Sequence, residues 1–158
     1  MNNNENINVD DSPVSPPCYP PYTGQCLCGE IQYSVDALEA KMGHCHCSMC
    51  RKFHGAAFAT FGEARAENFH WLSGESLLKA YRAPNGTQRK FCSACGSSLI
   101  FEEANTSGEI VEFSLGTLDA PIPSAPDVHI FVGSKASWYS VNDDLPCFSE
   151  GRDSQREK

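Results

Sequence analysis

Seven of the nine cysteines in this 158-residue chain fall into three tight clusters. Cys26 and Cys28 form C-x-C. Cys45, Cys47 and Cys50 form C-x-C-x-x-C. Cys92 and Cys95 form C-x-x-C, followed at once by Gly96. Thiolates one or two residues apart can face one ion from a tight turn, whereas such close neighbours rarely meet disulfide geometry without strain. Several such clusters in one short chain read as zinc sites. Two, three and two thiolates cannot complete two four-thiolate sites. They can complete one and leave a second with three protein ligands and a free fourth position. A closed site is structural, and an open one can do chemistry.

Cys26, Cys28, Cys92 and Cys95 pair into one Cys₄ site because each cluster supplies two ligands and no more. Joining them closes a long loop, which suits a structural staple in a chain with a modest core. Gly29 and Gly96 stand where knuckle turns need positive φ. The middle cluster, Cys45, Cys47 and Cys50, can hold a second zinc. Either its fourth position stays open, or His44 or His46 closes it. Four thiolates without other redox signals favour zinc over iron.

The rest of the composition narrows the setting. The chain carries 12 basic against 20 acidic residues, a net charge of −8, so phosphate backbones are not attracted and nucleic acid is excluded as a partner. No apolar run reaches 18 residues, so no membrane span is expected. Met1–Val9 is rich in Asn and lacks the basic start and apolar stretch of a secretory signal. A reducing, cytoplasmic setting is therefore expected. Residues 1–21, with five prolines and little to bury, read as a disordered tail that includes Cys18. Residues 152–158 read as a frayed, charged end. Between them, residues 22–151 read as one folded domain.

That domain reads as all-β. Apolar residues alternate at Ile31, Tyr33 and Val35, at Val111, Phe113 and Leu115, and at Val128, Ile130 and Val132. Ser73-Gly74 signals a hairpin between strands at 69–72 and 77–82, and Pro84-Asn85-Gly86 and 105–108 mark further turns. Short strands with frequent turns suggest a sandwich or small folded-over sheets. One short helix is expected over 48–53, ended by Gly55.

The same residues resemble a known family. Gly24-x-Cys26-x-Cys28-Gly29-x-Ile31-x-Tyr33, Cys45-His46-Cys47-x-x-Cys50-Arg51-Lys52, Arg89-x-Phe91-Cys92-x-x-Cys95-Gly96, Gly116-Thr117-Leu118-Asp119, His129-Ile130 and Asp144-Leu145-Pro146 resemble the GFA family. That family is named for the glutathione-dependent formaldehyde-activating enzyme and also includes centromere protein V. The resemblance spans about residues 22–151. It implies an Mss4-like, all-β fold with two zincs per chain. One is structural, at Cys26, Cys28, Cys92 and Cys95. The other is of catalytic type, at Cys45, Cys47 and Cys50. Cys147 departs from the usual family pattern.

An open zinc could bind a small thiol such as glutathione as its thiolate. The expected activity is therefore that of a carbon–sulfur lyase acting on the thiol and its aldehyde adduct. Arg51 and Lys52 are candidates to attract a carboxylate-bearing thiol, or else are solvated surface charges. His54 and His129 are candidate proton carriers. His129 lies opposite Val128 and Ile130 and so need not enter the core. Arg89 is read as an anchor for the knuckle loop through carbonyls. Trp138 and Tyr139 pack the core or wall a pocket. The alternative is a non-catalytic zinc module that binds another protein. An adaptor role like that of centromere protein V would need a basic extension, and the tail through Pro21 has no Lys or Arg.

Overall fold

The computed structural model describes residues 19–157. Cys18 and nearly all of the expected N-terminal tail lie outside these residues. The described chain runs β1 (Tyr22–Gln25), β2 (Gln32–Val35), β3 (Met42–Cys45), α1 (Ser48–His54), β4 (Ala59–Arg65), β5 (Phe69–Ser73), β6 (Leu78–Arg82) and β7 (Gln88–Cys92). It continues with β8 (Ser98–Glu102), β9 (Ile110–Ser114), β10 (His129–Ile130), β11 (Cys147–Phe148) and β12 (Arg156–Glu157). The fold is all-β with a single short α-helix among the described residues, as the turn spacing indicated.

Two sheets share the strands. β1, β2 and β5 form a small antiparallel sheet. The larger sheet has the order β12-β11-β10-β3-β4-β9-β8-β7-β6. It is antiparallel except at β10, which runs parallel to both β3 and β11. The core fills the space between the sheets. Tyr33 stacks on Phe69 with ring centroids 5.0 Å apart and meets Phe113 edge-on. Ile31, Val35, Leu99 and Ile100 complete this cluster. Thr117 donates to the Ser114 carbonyl at 2.7 Å, so the buried Tyr33 hydroxyl donates to Thr117 Oγ1, also at 2.7 Å. Only glycine fits at Gly24, because a Cβ there would lie 2.5 Å from the Tyr33 ring.

Three expectations change. Ser73-Gly74 does not make a hairpin, because β5 pairs with β2 and β6 pairs with β7 in the other sheet. A turn signal reverses the chain but does not choose its partner. Packing of Phe69 and Trp71 on Tyr33 draws β5 into the small sheet. Second, the alternation through Val132 breaks early. Phe131 takes a left-handed backbone at φ 57, and β10 stops at Ile130. His129 is buried at 1 % exposure, contrary to the face assignment, because β10 lies inside the sheet between two parallel neighbours. Third, residues 152–157 are not frayed. β12 pairs with β11, and Arg152 donates to the Met42 carbonyl and to Asp127, each at 2.8 Å.

Candidate metal centre

The two glycine-flanked turns bring four sulfurs together. The Sγ atoms of Cys26, Cys28, Cys92 and Cys95 all lie within 4.8 Å of one another. Cys26 and Cys28 sulfurs are 3.4 Å apart, and Cys28 and Cys92 sulfurs 3.8 Å. A tetrahedral ion with Zn–S bonds of about 2.3 Å would place its sulfurs about 3.8 Å apart, so the set fits zinc. Gly29 and Gly96 have φ of 78° and 81°, as knuckle turns require. The surroundings hold the sulfurs in place. Ile31 N–H donates to Cys26 Sγ at 3.3 Å. Ser97 Oγ accepts from Leu27 N–H at 2.8 Å, which turns its own hydroxyl toward Cys95 Sγ at 3.3 Å. This cluster closes a link from the β1–β2 turn in the small sheet to the β7–β8 turn in the large one.

The middle cluster is built differently. Cys45 ends β3, Cys47 caps α1, and Cys50 lies in the first helical turn. Cys47 Sγ accepts from Cys50 N–H at 3.3 Å, the side-chain capping bond that starts the helix. Gly55 ends it with φ 61, as expected. The three sulfurs lie within 4.8 Å of one another. Hydrogen bonds among the three sulfurs push the Cys45 thiol up and pull Cys47 down. Such a group is suited to a cation. Among the described residues no histidine nitrogen lies in this set of mutually close ligand atoms.

The two histidines face other partners. His44 Nδ1 meets Thr60 Oγ1 at 2.8 Å. His46 is fully buried, and its Nε2 lies 2.8 Å from His129 Nδ1. His129 Nε2 in turn lies 3.0 Å from the Asp143 carboxylate. That bond holds Asp143 below the usual carboxylate range. An ionised Asp143 places the His129 proton on Nε2, so His129 Nδ1 accepts and His46 Nε2 donates. His46 Nδ1 is then a buried acceptor without a partner among the described residues. Burial, followed by His129, pushes the His46 pKa down to about 4.

The other sequence candidates are distributed around this centre. Arg51 turns away from it and donates to the Ser134 carbonyl at 3.2 Å. Lys52 is exposed on α1 beside an apolar groove. His54 Nε2 reaches Ser98 Oγ at 3.2 Å, and burial lowers its pKa. It borders a cavity of about 400 Å³ whose polar lining is mainly hydroxyls, including Thr60, Ser97, Ser98 and Ser114. Cys147 belongs to neither sulfur group, and its thiol meets the Leu145 carbonyl at 3.6 Å. Trp138 is 73 % exposed, while Tyr139 packs on Phe58 and His46.

Sequence reasoning missed two groups. Arg89 does not anchor its own knuckle. It is buried, lies over the Phe101 ring, donates to Thr87 Oγ1 at 3.0 Å, and points Nη2 at Cys50 Sγ, 3.9 Å away. Asp143, not the motif residue Asp144, orients His129. An acidic residue beside a motif gives no signal of its own until the fold sets it against a ring.

With this geometry in view, the chain can be compared with known proteins. The family model of the glutathione-dependent formaldehyde-activating enzyme matches residues 21–134. The chain belongs to this GFA family. The match takes in both sulfur groups and ends before Asp143. An uncharacterised lyase of Schizosaccharomyces pombe is 29 % identical over 135 residues, covering 78 % of this chain and 94 % of that one. A putative glutathione-dependent formaldehyde-activating enzyme of Halomonas elongata is 28 % identical over 127 residues, covering 75 % and 79 %. The crystal structure of a Rhodobacter sphaeroides protein superposes with a TM-score of 0.53 at 25 % identity, covering 64 % of this chain and 91 % of that one. Among the described residues no helix is long and apolar enough to cross a membrane.

Proposed function

We propose that this GFA-family chain is a zinc-dependent carbon–sulfur lyase that joins or splits a small thiol, glutathione-like, and an aldehyde. The observation that carries this reading is the three-sulfur group of Cys45, Cys47 and Cys50, with no fourth donor among the described residues. The lyase and formaldehyde-activating names of the relatives support the same class. A zinc held by these three residues would supply a Lewis acid with one exchangeable position, able to hold a thiol as its thiolate.

The chain's own residues do the rest. Arg89 sets a buried positive charge against Cys50 and offsets the excess negative charge of three thiolates. Addition forms one bond between the thiol sulfur and the carbonyl carbon, and the thiol proton ends on the carbonyl oxygen. His54 Nε2, on Ser98 at the hydroxyl-lined cavity, is the candidate to hold that proton in transit. His129 has both ring nitrogens engaged and serves to position His46. Cys26, Cys28, Cys92 and Cys95 would hold the second, structural zinc.

The test is zinc per chain by elemental analysis, with and without added glutathione. Two zincs, one of which becomes exchangeable when the thiol is present, is the expected result. Two zincs that resist thiol and mild chelator alike would instead make the chain a closed binding module.

A further inference from the structure

Phe53 lines the hydroxyl-lined cavity and also a second one, of about 520 Å³, between α1 and the β6–β7 hairpin. Its walls include Met49, Phe53, Tyr81 and Phe91, and among the described residues its only charged lining residues are Lys52 and Arg89. Among the described residues no carboxylate lines it, in a chain of net charge −8. Three of its lining residues connect it to the three-cysteine group. Met49 precedes Cys50, Lys52 follows two residues later, and Arg89 reaches Cys50 Sγ. Met49 and Tyr81 remain 41 % and 53 % exposed, so no described segment of the chain covers this apolar surface.

Two cavities of opposite chemistry therefore share Phe53, and each has a lining residue against the three-cysteine group, Ala59 in one and Arg89 in the other. The hydroxyl-lined one suits a peptide-like thiol, with amide and carbonyl groups to hydrogen-bond. A one-carbon aldehyde would leave the apolar groove unfilled. Resting on the lyase reading, we infer that the groove takes the carbonyl half of the adduct, and that this half is an apolar aldehyde bearing a carboxylate. Its body is held by Met49, Tyr81 and Phe91, and its carboxylate by Lys52 and Arg89. The apolar walls gain from burying a ring or branched chain, and the two cations select the sign of its charge.

Binding is tested on the zinc-loaded full chain by amide NMR with three matched probes: phenylacetate, 2-phenylethanol and benzylamine. Phenylacetate is expected to move the Met49, Lys52, Tyr81 and Phe91 signals saturably at millimolar concentration, with benzylamine at least tenfold weaker. Lys52→Glu, at an exposed position, is expected to reverse that order. In turnover with glutathione, 4-carboxybenzaldehyde is expected to give a higher kcat/KM than formaldehyde. Lys52→Glu is then expected to raise KM for the carboxylated aldehyde.

No saturable shift with phenylacetate, equal binding of benzylamine, or faster turnover of formaldehyde would each overturn the inference. So would self-association of the chain that closes the groove and is unaffected by phenylacetate. The zinc-exchange experiment does not involve the groove, so the two readings fail separately. Exchange without phenylacetate binding removes only the inference. Phenylacetate binding without exchange leaves a carboxylate groove beside a closed site, and removes the lyase reading.

Discussion

The guanidinium of Arg89 donates toward Sγ of Cys50 across 39 residues of sequence, at 3.9 Å. Three residues further along the same strand, Cys92 belongs to the other sulfur group. Strand β7 thus carries a sulfur of one group and a charge partner of the other. Sequence-adjacent motifs serve different sites because alternate residues of a strand point to opposite faces.

Arg89→Ala is expected to weaken metal retention at Cys45, Cys47 and Cys50 by roughly 10–100-fold, the usual range when a group supporting a metal ligand is removed. Competition with a chromophoric chelator measures this. The four-cysteine metal should be retained. Equal loss from both sites would mean that Arg89 acts on the fold and not on Cys50.

Cys95→Ser is nearly isosteric, so it tests the metal and not the packing. A structural zinc contributes on the order of 10 kcal/mol in small domains, comparable to the whole stability of a domain this size. The variant should lose cooperative thermal unfolding and amide dispersion. Cys47→Ser, at a partly exposed position, should remain folded and bind one zinc less.

Glu112 on β9 stands directly opposite Glu63 on β4. Burial, then the Glu63 and Glu103 charges, raise the Glu112 pKa to about 8. The folded state thus holds a proton that the unfolded chain releases near pH 4.3. The favourable contribution is complete below that value and is lost as pH rises through about 8. Glu112→Gln should therefore match the parent in acid and gain on the order of a few kcal/mol by pH 8. Urea midpoints across pH 4–9 would test it, and a constant offset at all pH values would reject it.

Gly24→Ala should cost on the order of 1–3 kcal/mol, because its Cβ would overlap the buried Tyr33 ring and the Thr117 carbonyl. Tyr33→Phe removes one hydrogen bond to Thr117 and should cost about 1 kcal/mol. Denaturant midpoints rank the two. A glycine variant milder than the tyrosine variant would contradict the close approach.

The sequence by itself determined which sulfurs gather. Cysteine spacing, glycines at positive φ and a short helix ended by Gly55 are local features, and each was legible residue by residue. Short strands with turns likewise settled the all-β class. Tertiary structure alone decided the rest. Pairing of β5 with β2 depends on Phe69 and Trp71 meeting Tyr33, not on the turn at Gly74. His129 entered the core because β10 lies between two parallel strands, and Asp143 reached it from a loop 14 residues away. Arg89 reached Cys50, not its own knuckle, for the same reason. Spacing constrains neighbours along the chain, whereas partners brought together across sheets are chosen by packing of many residues at once, which no local pattern records.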